Sequence, residues 1–344
     1  MIHDGLEFHN VGELEALPGG GLKLQRLPAA VRDGLGIPGH RRGRFYAHRL
    51  SGVELRFVVE SPFFAVSLMA LEADTHVVVY RGDFAHGRYE LRAGVATTLC
   101  LEDPPAFAAV DPAMLRHGRF EADLWRILFH QDARAAYLGH DAYGAVIRPP
   151  RQEEVPSLRW LAYGSSITYG ANTQHPATTY VQQAARRLGV DVLNLGLPGS
   201  CMAEPAMAEY LASRTDVDLM TCELGVNMTG WIEPPEFERR VRHLLMTIAD
   251  RRPERPVVAL NIYPNRADYL RNRGDQDAVR TEVFNRIVPA VVRDLGRSNL
   301  HVIDGRQVLQ DLDGLTTDLL HPSDEGHMAM GGHLATALRS YLPG

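Results

Sequence analysis

The pattern of apolar residues changes once, close to Arg148-Pro149-Pro150-Arg151-Gln152-Glu153-Glu154, and that change limits the folds open to this chain more than any other feature. Before it, short runs are separated by Gly, Pro and Asp: Val53 to Val59, Phe63 to Leu71, His76 to Tyr80, Arg88 to Arg92, Val95 to Leu101 and Phe120 to His130. A period of two over such lengths marks half-buried strands joined by tight turns. It predicts an antiparallel β-sandwich, jelly-roll-like, over residues 1–150. The opening forty residues are rich in Gly and Pro and are expected to wrap the sandwich edge with one or two short strands.

Beyond the boundary, apolar strand runs at Leu158 to Tyr163, Val190 to Leu195, Val217 to Leu224, Val257 to Tyr263 and Leu300 to Ile303 alternate with helical segments. The latter are Thr178 to Leu188, Glu204 to Ser213, Pro235 to Ala249, Asp277 to Leu295 and Ser323 to Tyr341. Strand then helix, five times over, predicts an α/β domain at 151–344 with a doubly wound, five-stranded parallel sheet. The last helix is expected to begin at Ser323 or Asp324, because either can cap it and Pro322 disfavours helix before it.

A length of 344 residues suits two domains, and 45% hydrophobic with 23% charged residues describes an ordinary globular chain. A net charge of −6 argues against nucleic acid and anionic membrane as partners. No run approaches the length of a membrane span, and Met1 to Glu7 has neither a basic nor an apolar leader region, so a cytoplasmic location is expected. Cys100, Cys201 and Cys222 lie in apolar contexts that suit reduced thiols. No cluster has metal-ligand spacing, so neither metal nor cofactor is expected; His327 and His333 fall on the last helix as structural or exposed residues.

The chemistry-bearing residues sit at the ends of the apolar runs. Trp160-Leu161-Ala162-Tyr163 leads into Gly164-Ser165-Ser166, which delivers a hydroxyl to the carboxyl edge of the sheet, where open α/β folds build their sites. A serine nucleophile needs a base and a group that orients the base. His321 and Asp318, three residues apart before the final helix, can supply both. The backbone N–H groups of Ser166 and Gly199 and the side-chain amide of Asn227 are candidate donors to a developing oxyanion. Taken singly these motifs are uninformative: a Gly-Ser-Ser after a strand is commonly a turn with a helix cap, and an Asp-x-x-His-Pro is commonly a capped loop. Their order, each at the end of a strand run, favours catalysis.

In that order Gly164-Ser165-Ser166-Ile167-Thr168, Asn194 to Gly199, Gly225-Val226-Asn227 and Asp318 to Pro322 resemble the four blocks of the SGNH hydrolases, the superfamily of the GDSL esterases. The resemblance covers roughly residues 157–344 and implies a flavodoxin-like, three-layer α/β domain. The position commonly held by Asp in the GDSL motif is Ser165 here, a residue that precedes the nucleophile and takes no part in the triad. Such a chain is expected to be a serine esterase acting through an acyl-enzyme on Ser166, on short-chain acyl or acetyl esters of a sugar or natural-product alcohol. Its partner is then a small-molecule ester or acyl donor. The alternative is an acyltransferase to a hydroxyl, and a lesser one is an inactive carbohydrate-binding protein, against which the intact Ser, Gly, Asn, Asp and His set argues. Tyr169, Met228, Trp231 and Tyr263 follow the motifs and are candidates for the substrate pocket, with packing at the sheet edge as the competing role. Trp125, Arg126 and His140 to Tyr143 are read as structural.

Overall fold

Strands of the first half pair into two antiparallel sheets in the computed structural model, which describes residues 1–116 and 118–342. One sheet runs in the order Ile2–His3, Leu6–His9, Glu54–Val59, Trp125–Phe129, Thr75–Arg81, Phe84–Leu91, with Ile147–Arg148 also pairing to Glu54–Val59. The other runs Glu13–Ala16, Leu22–Gln25, Ala135–Asp141, Phe63–Ala70, Ala96–Glu102. Alternate residues of both sheets face one core: Phe8, Phe57 and Ile127 from the first meet Leu24, Phe64 and Leu68 from the second. This is the expected β-sandwich. Its opening segment supplies four strands instead of one or two. Phe120 to His130 contracts to Trp125–Phe129, because Leu124 and the residues before it form a turn. The strand Ala135–Asp141 was not anticipated, since a register shift between Tyr137 and Gly139 breaks its alternation.

Glu54 lies inside this unit. It takes two hydrogen bonds from Arg126, at 2.7 and 2.8 Å, and one from Arg56 at 2.8 Å. The ring of Phe120 lies 3.8 Å from the Arg126 guanidinium. Arg126 is therefore a structural residue, in line with the sequence reading.

In the second half all five strands are parallel and stand in the order second, first, third, fourth, fifth: Asp191–Gly196, Arg159–Gly164, Leu219–Glu223, Val257–Leu260, Leu300–Ile303. Helices Tyr180–Leu188 and Asp324–Leu338 cover one face through Val181, Ala184, Met330 and Leu334. Pro205–Ser213, Pro234–Arg251 and Gln276–Leu295 form the other layer, where Phe237 stacks on Phe284 at 4.0 Å. Local chemistry fixes these helix ends. Pro205 and Pro234 occupy first-turn positions, Thr179, Asp275 and Ser323 cap starts, and Gly189 and Gly296 turn left-handed at ends.

The compact units do not follow the division into 1–150 and 151–344. One comprises Met1–Pro28 and His48–Ser157; the other joins Ala29–Ala47 to Leu158–Gly344. The segment Ala29–Ala47 thus packs with the parallel sheet and its helices and does not wrap the sandwich. It is held there by a hydrogen bond from Gly36 N–H to the Glu204 carboxylate, 2.8 Å, and by close backbone approach: a Cβ at Gly34 would strike that of Ala206.

Candidate active site

The sheet order reverses beside the first parallel strand, and this is where an open α/β sheet leaves a crevice at its carboxyl edge. Ser166 stands there at the start of a short helical turn, Ser166–Tyr169, capped by the Ser165 hydroxyl, which accepts from Ile167 N–H at 3.1 Å. The turn is held from below by Glu223, the last residue of the neighbouring strand. Its Oε2 accepts from Ser165 N–H at 2.6 Å and from the Thr168 hydroxyl at 3.2 Å. Gly164 is needed at this approach, since a Cβ there would meet both Thr168 Oγ1 and the Glu223 carboxylate. Thr168 is bonded in turn to the Tyr180 hydroxyl at 2.7 Å. Burial pushes the Glu223 carboxyl above its ordinary range, although the bonds from Ser165 and Thr168 oppose the shift. Ser165 thus acts as a cap, and a buried carboxyl reaches the same loop from the next strand.

Ser166 Oγ lies 2.8 Å from His321 Nε2, and His321 Nδ1 lies 2.7 Å from Asp318 Oδ2. Asp318 and His321 come together through a tight loop in which Leu319 takes a left-handed φ of 52° and His321 accepts from Thr316 N–H at 2.8 Å. The second Asp318 oxygen accepts from the N–H groups of Leu320 and His321, each at 2.9 Å, and from the Thr316 hydroxyl at 2.8 Å. Partial burial alone would raise the Asp318 carboxyl; its bonds from His321, Leu320 and Thr316 outweigh that and hold it well below the usual carboxylate range. An ionised Asp318 accepting from Nδ1–H leaves Nε2 free to accept the Ser166 proton.

Gly199 takes a left-handed φ of 59° in the loop after the second strand. That loop is tied to the Gly225–Met228 turn by the Asn227 side-chain oxygen, which accepts from Ser200 and Cys201 N–H at 3.0 Å each. The bonding of its oxygen leaves the Asn227 NH2 as a donor. Leu197 N–H donates to Gly164 carbonyl at 2.8 Å, joining the same loop to the Ser166 turn. A cavity of about 290 Å³ opens on Gly199 and Asn227. Of the four candidate pocket residues, Trp231 lines this cavity and is 53% exposed, whereas Tyr169, Met228 and Tyr263 are buried and serve packing. Tyr263 lies against the Tyr180 ring at 6.0 Å, and Tyr169 faces Tyr46 at 6.3 Å.

Three residues at the site carried no readable signal in motif form. Glu223 was recoverable as a carboxyl near the end of the apolar run Val217 to Leu224, a placement that demands an explanation. His40 and Arg42 line the cavity from the early segment Ala29–Ala47, far from any block. His327 is buried in the last helix, where its Nδ1 accepts from Tyr180 N–H at 3.2 Å, and burial lowers its pKa to about 4. His333 is half-buried, with Nδ1 3.0 Å from the Val308 carbonyl. Among the described residues no group of three or more His, Cys, Asp or Glu could hold a metal ion, and no helix is long and apolar enough to cross a membrane.

Residues 162–329 match the model of the GDSL-like Lipase/Acylhydrolase family. No curated protein matches the chain in sequence. Among solved structures, the salicylyl-acyltransferase SsfX3 from a tetracycline biosynthetic pathway is similar over 99% of this chain and 96% of its own, with a TM-score of 0.81 at 19% identity. A family two carbohydrate esterase from Clostridium thermocellum, in complex with cellohexaose, is similar over 98% of both chains, with a TM-score of 0.65 at 14% identity. An acetyl xylan esterase from the rumen bacterium Butyrivibrio proteoclasticus is similar over 99% of this chain and 96% of its own, with a TM-score of 0.58 at 11% identity.

Proposed function

Because residues 162–329 form a domain of the GDSL-like lipase/acylhydrolase family, we propose that the chain is a serine carboxylic-ester hydrolase working through an acyl-enzyme on Ser166. The observation that carries this reading is the continuous relay from Ser166 Oγ through the His321 ring to Asp318, with links of 2.8 and 2.7 Å. In the first step Ser166 Oγ bonds to the acyl carbon while His321 Nε2 takes its proton, and Asp318 stabilises the imidazolium that forms. The carbonyl oxygen becomes negative and is met by the Ser166 and Gly199 N–H groups and the Asn227 amide. His321 then returns the proton to the departing alcohol. Water repeats the steps in reverse and releases the acid.

The substrates we propose are short-chain acyl or acetyl esters of a sugar or natural-product alcohol, in keeping with the acetyl xylan esterase among the similar structures. A second reading, transfer of the acyl group to a hydroxyl in place of water, draws on the full-length likeness to the salicylyl-acyltransferase. Both share the acyl-enzyme, so one experiment addresses them in turn. Ser166→Ala should lower turnover of an activated acetyl ester at least about a thousandfold and abolish labelling by a serine-directed phosphonate. Retained turnover in that variant would sink the acyl-enzyme. With the wild-type protein, mass spectrometry of a reaction containing an alcohol acceptor separates free acid from acylated acceptor.

A further inference from the structure

The cavity beside Gly199 and Asn227 contains a cation that the fold leaves unused. Arg42 is exposed, and its guanidinium has the Tyr46 ring as a neighbour at 5.9 Å; no carboxylate among the described residues pairs with it. The other arginines around the cavity are engaged. Arg266 pairs with Asp277 at 3.4 Å, and Arg280 donates to Glu233 and to the Thr229 and Ile232 carbonyls. His40 adds no charge near neutral pH, because burial, aided by the Arg42 charge, depresses its pKa. With Arg266 and Asp277 cancelling, the lining carries one net positive charge, and it belongs to Arg42.

That charge is placed by construction. Arg42 begins the short helix Arg42–Tyr46, whose next residue is Gly43; a Cβ there would lie 3.2 Å from Leu35 and 3.5 Å from the Ser200 side chain. The helix is therefore seated directly on the loop that carries Gly199. As a result Arg42 Nη1 lies 3.7 Å from where a Gly199 Cβ would be. The anchoring of Gly36 by Glu204 and the bond from Arg44 Nε to the Leu35 carbonyl, 3.2 Å, fix the rest of the segment. The cavity lining also includes Trp231, whose ring meets His40 edge-on at 4.3 Å.

We propose that Arg42 is a specificity-determining residue and that this cavity receives a negatively charged group, a carboxylate or phosphate, carried by the ester substrate. A guanidinium suits both, since its fork matches two oxygens of either anion. The inference rests on the serine-ester reading for its chemistry, but not for the binding it asserts. Its test uses matched esters and the full chain. One pair puts the charge on the acyl side, a hemisuccinate against a butyrate of the same alcohol. The other puts it on the alcohol side, an acetylated hydroxybenzoate against phenyl acetate.

Arg42→Gln should lower the charged-to-neutral ratio of kcat/KM about tenfold or more in at least one pair, with partial recovery in Arg42→Lys and a smaller effect at high salt. The pair that responds identifies the side bearing the charge. A ratio that stays within about twofold in both pairs would overturn the proposal, including the case in which Arg42 assists the oxyanion of every ester equally. Calorimetric titration of monobutyl succinate and of butyl phosphate into the Ser166→Ala protein, with and without Arg42→Gln, reads the site without turnover. Binding weakened by the second substitution supports the assignment, and equal or absent binding of both probes refutes it. If no ester is turned over, the serine-ester reading fails while this titration still decides the anion site.

Discussion

Glu54 in the sandwich and Glu223 in the third parallel strand are each 1% exposed, yet the first carboxyl is held well below its ordinary range and the second is pushed above it. Burial acts upward on both. For Glu54 the charges of Arg126 and Arg56 and the bonds from Arg126 outweigh it; for Glu223 the partners are an N–H and hydroxyls, which do not. The neighbours follow the same division. The sandwich stacks its arginines on Phe120, while the catalytic unit buries His327 with its pKa lowered and Glu204 with its pKa raised. Glu54 is thus buried in a setting that favours its charge, whereas Glu223, Glu204 and His327 are buried in settings that favour their neutral forms.

The largest stability effect that would break this comparison comes from Glu54. Removing one member of a buried ion pair costs about 3–5 kcal/mol, because the partner charge is left without compensation. Glu54→Gln is expected to lose stability on that scale in chemical denaturation at neutral pH. The pH dependence has a definite sign. A carboxyl depressed in the fold stabilises above its unfolded value of 4.5, and that contribution is lost as pH falls below it. The variant should therefore lose less on acidification than the wild type; a parallel acid response would refute an ionised Glu54.

His327 gives the next effect, from the other unit. Its pKa is lowered from 6.5 to about 4 by burial, so the fold resists a proton that the unfolded chain accepts. Stability is expected to fall as pH drops from 6.5 towards 4, by about 3 kcal/mol at the lower end. His327→Gln keeps an acceptor for Tyr180 N–H and should flatten that slope. An unchanged slope in the variant would mean that another group governs this window.

Much of this architecture was readable before any coordinates, and the exceptions have physical causes. Four of the five parallel strands are buried along nearly all their length and appear as mostly apolar runs, and Ser323 marks the start of the last helix by its capping chemistry. Ser166, Asp318 and His321 are visible because local turns present them. Ala29–Ala47 is invisible to periodicity: its two helices have five residues each, too short to show a 3.6-residue repeat, and its docking depends on glycines at Gly34 and Gly43. A fragment beginning at residue 151 would lack this segment, and with it Arg42. Tyr169, Met228 and Tyr263 show the converse error, since proximity to a motif in sequence does not say which way a side chain faces.

The smallest stability effect, and the sharpest test of the comparison, is at Glu223. Gln there preserves an oxygen to accept from Ser165 N–H and the Thr168 hydroxyl, and it removes only a charge that burial already disfavours. Glu223→Gln should therefore change stability by no more than about 1 kcal/mol, far less than the matching change at Glu54. The sign of its pH effect is also opposite. A carboxyl raised in the fold stabilises below the unfolded value of 4.5, and this is lost as pH rises through the folded value. Glu223→Ala instead leaves Ser165 N–H without an acceptor and frees the turn that carries Ser166. It should cost about 1–3 kcal/mol and lower kcat about a hundredfold with little change in KM, because a misplaced nucleophile loses rate before it loses binding. Equal stability losses from Glu54→Gln and Glu223→Gln would remove the distinction between the two buried carboxyls, and an unaltered kcat in Glu223→Ala would leave that carboxyl with no part in positioning Ser166.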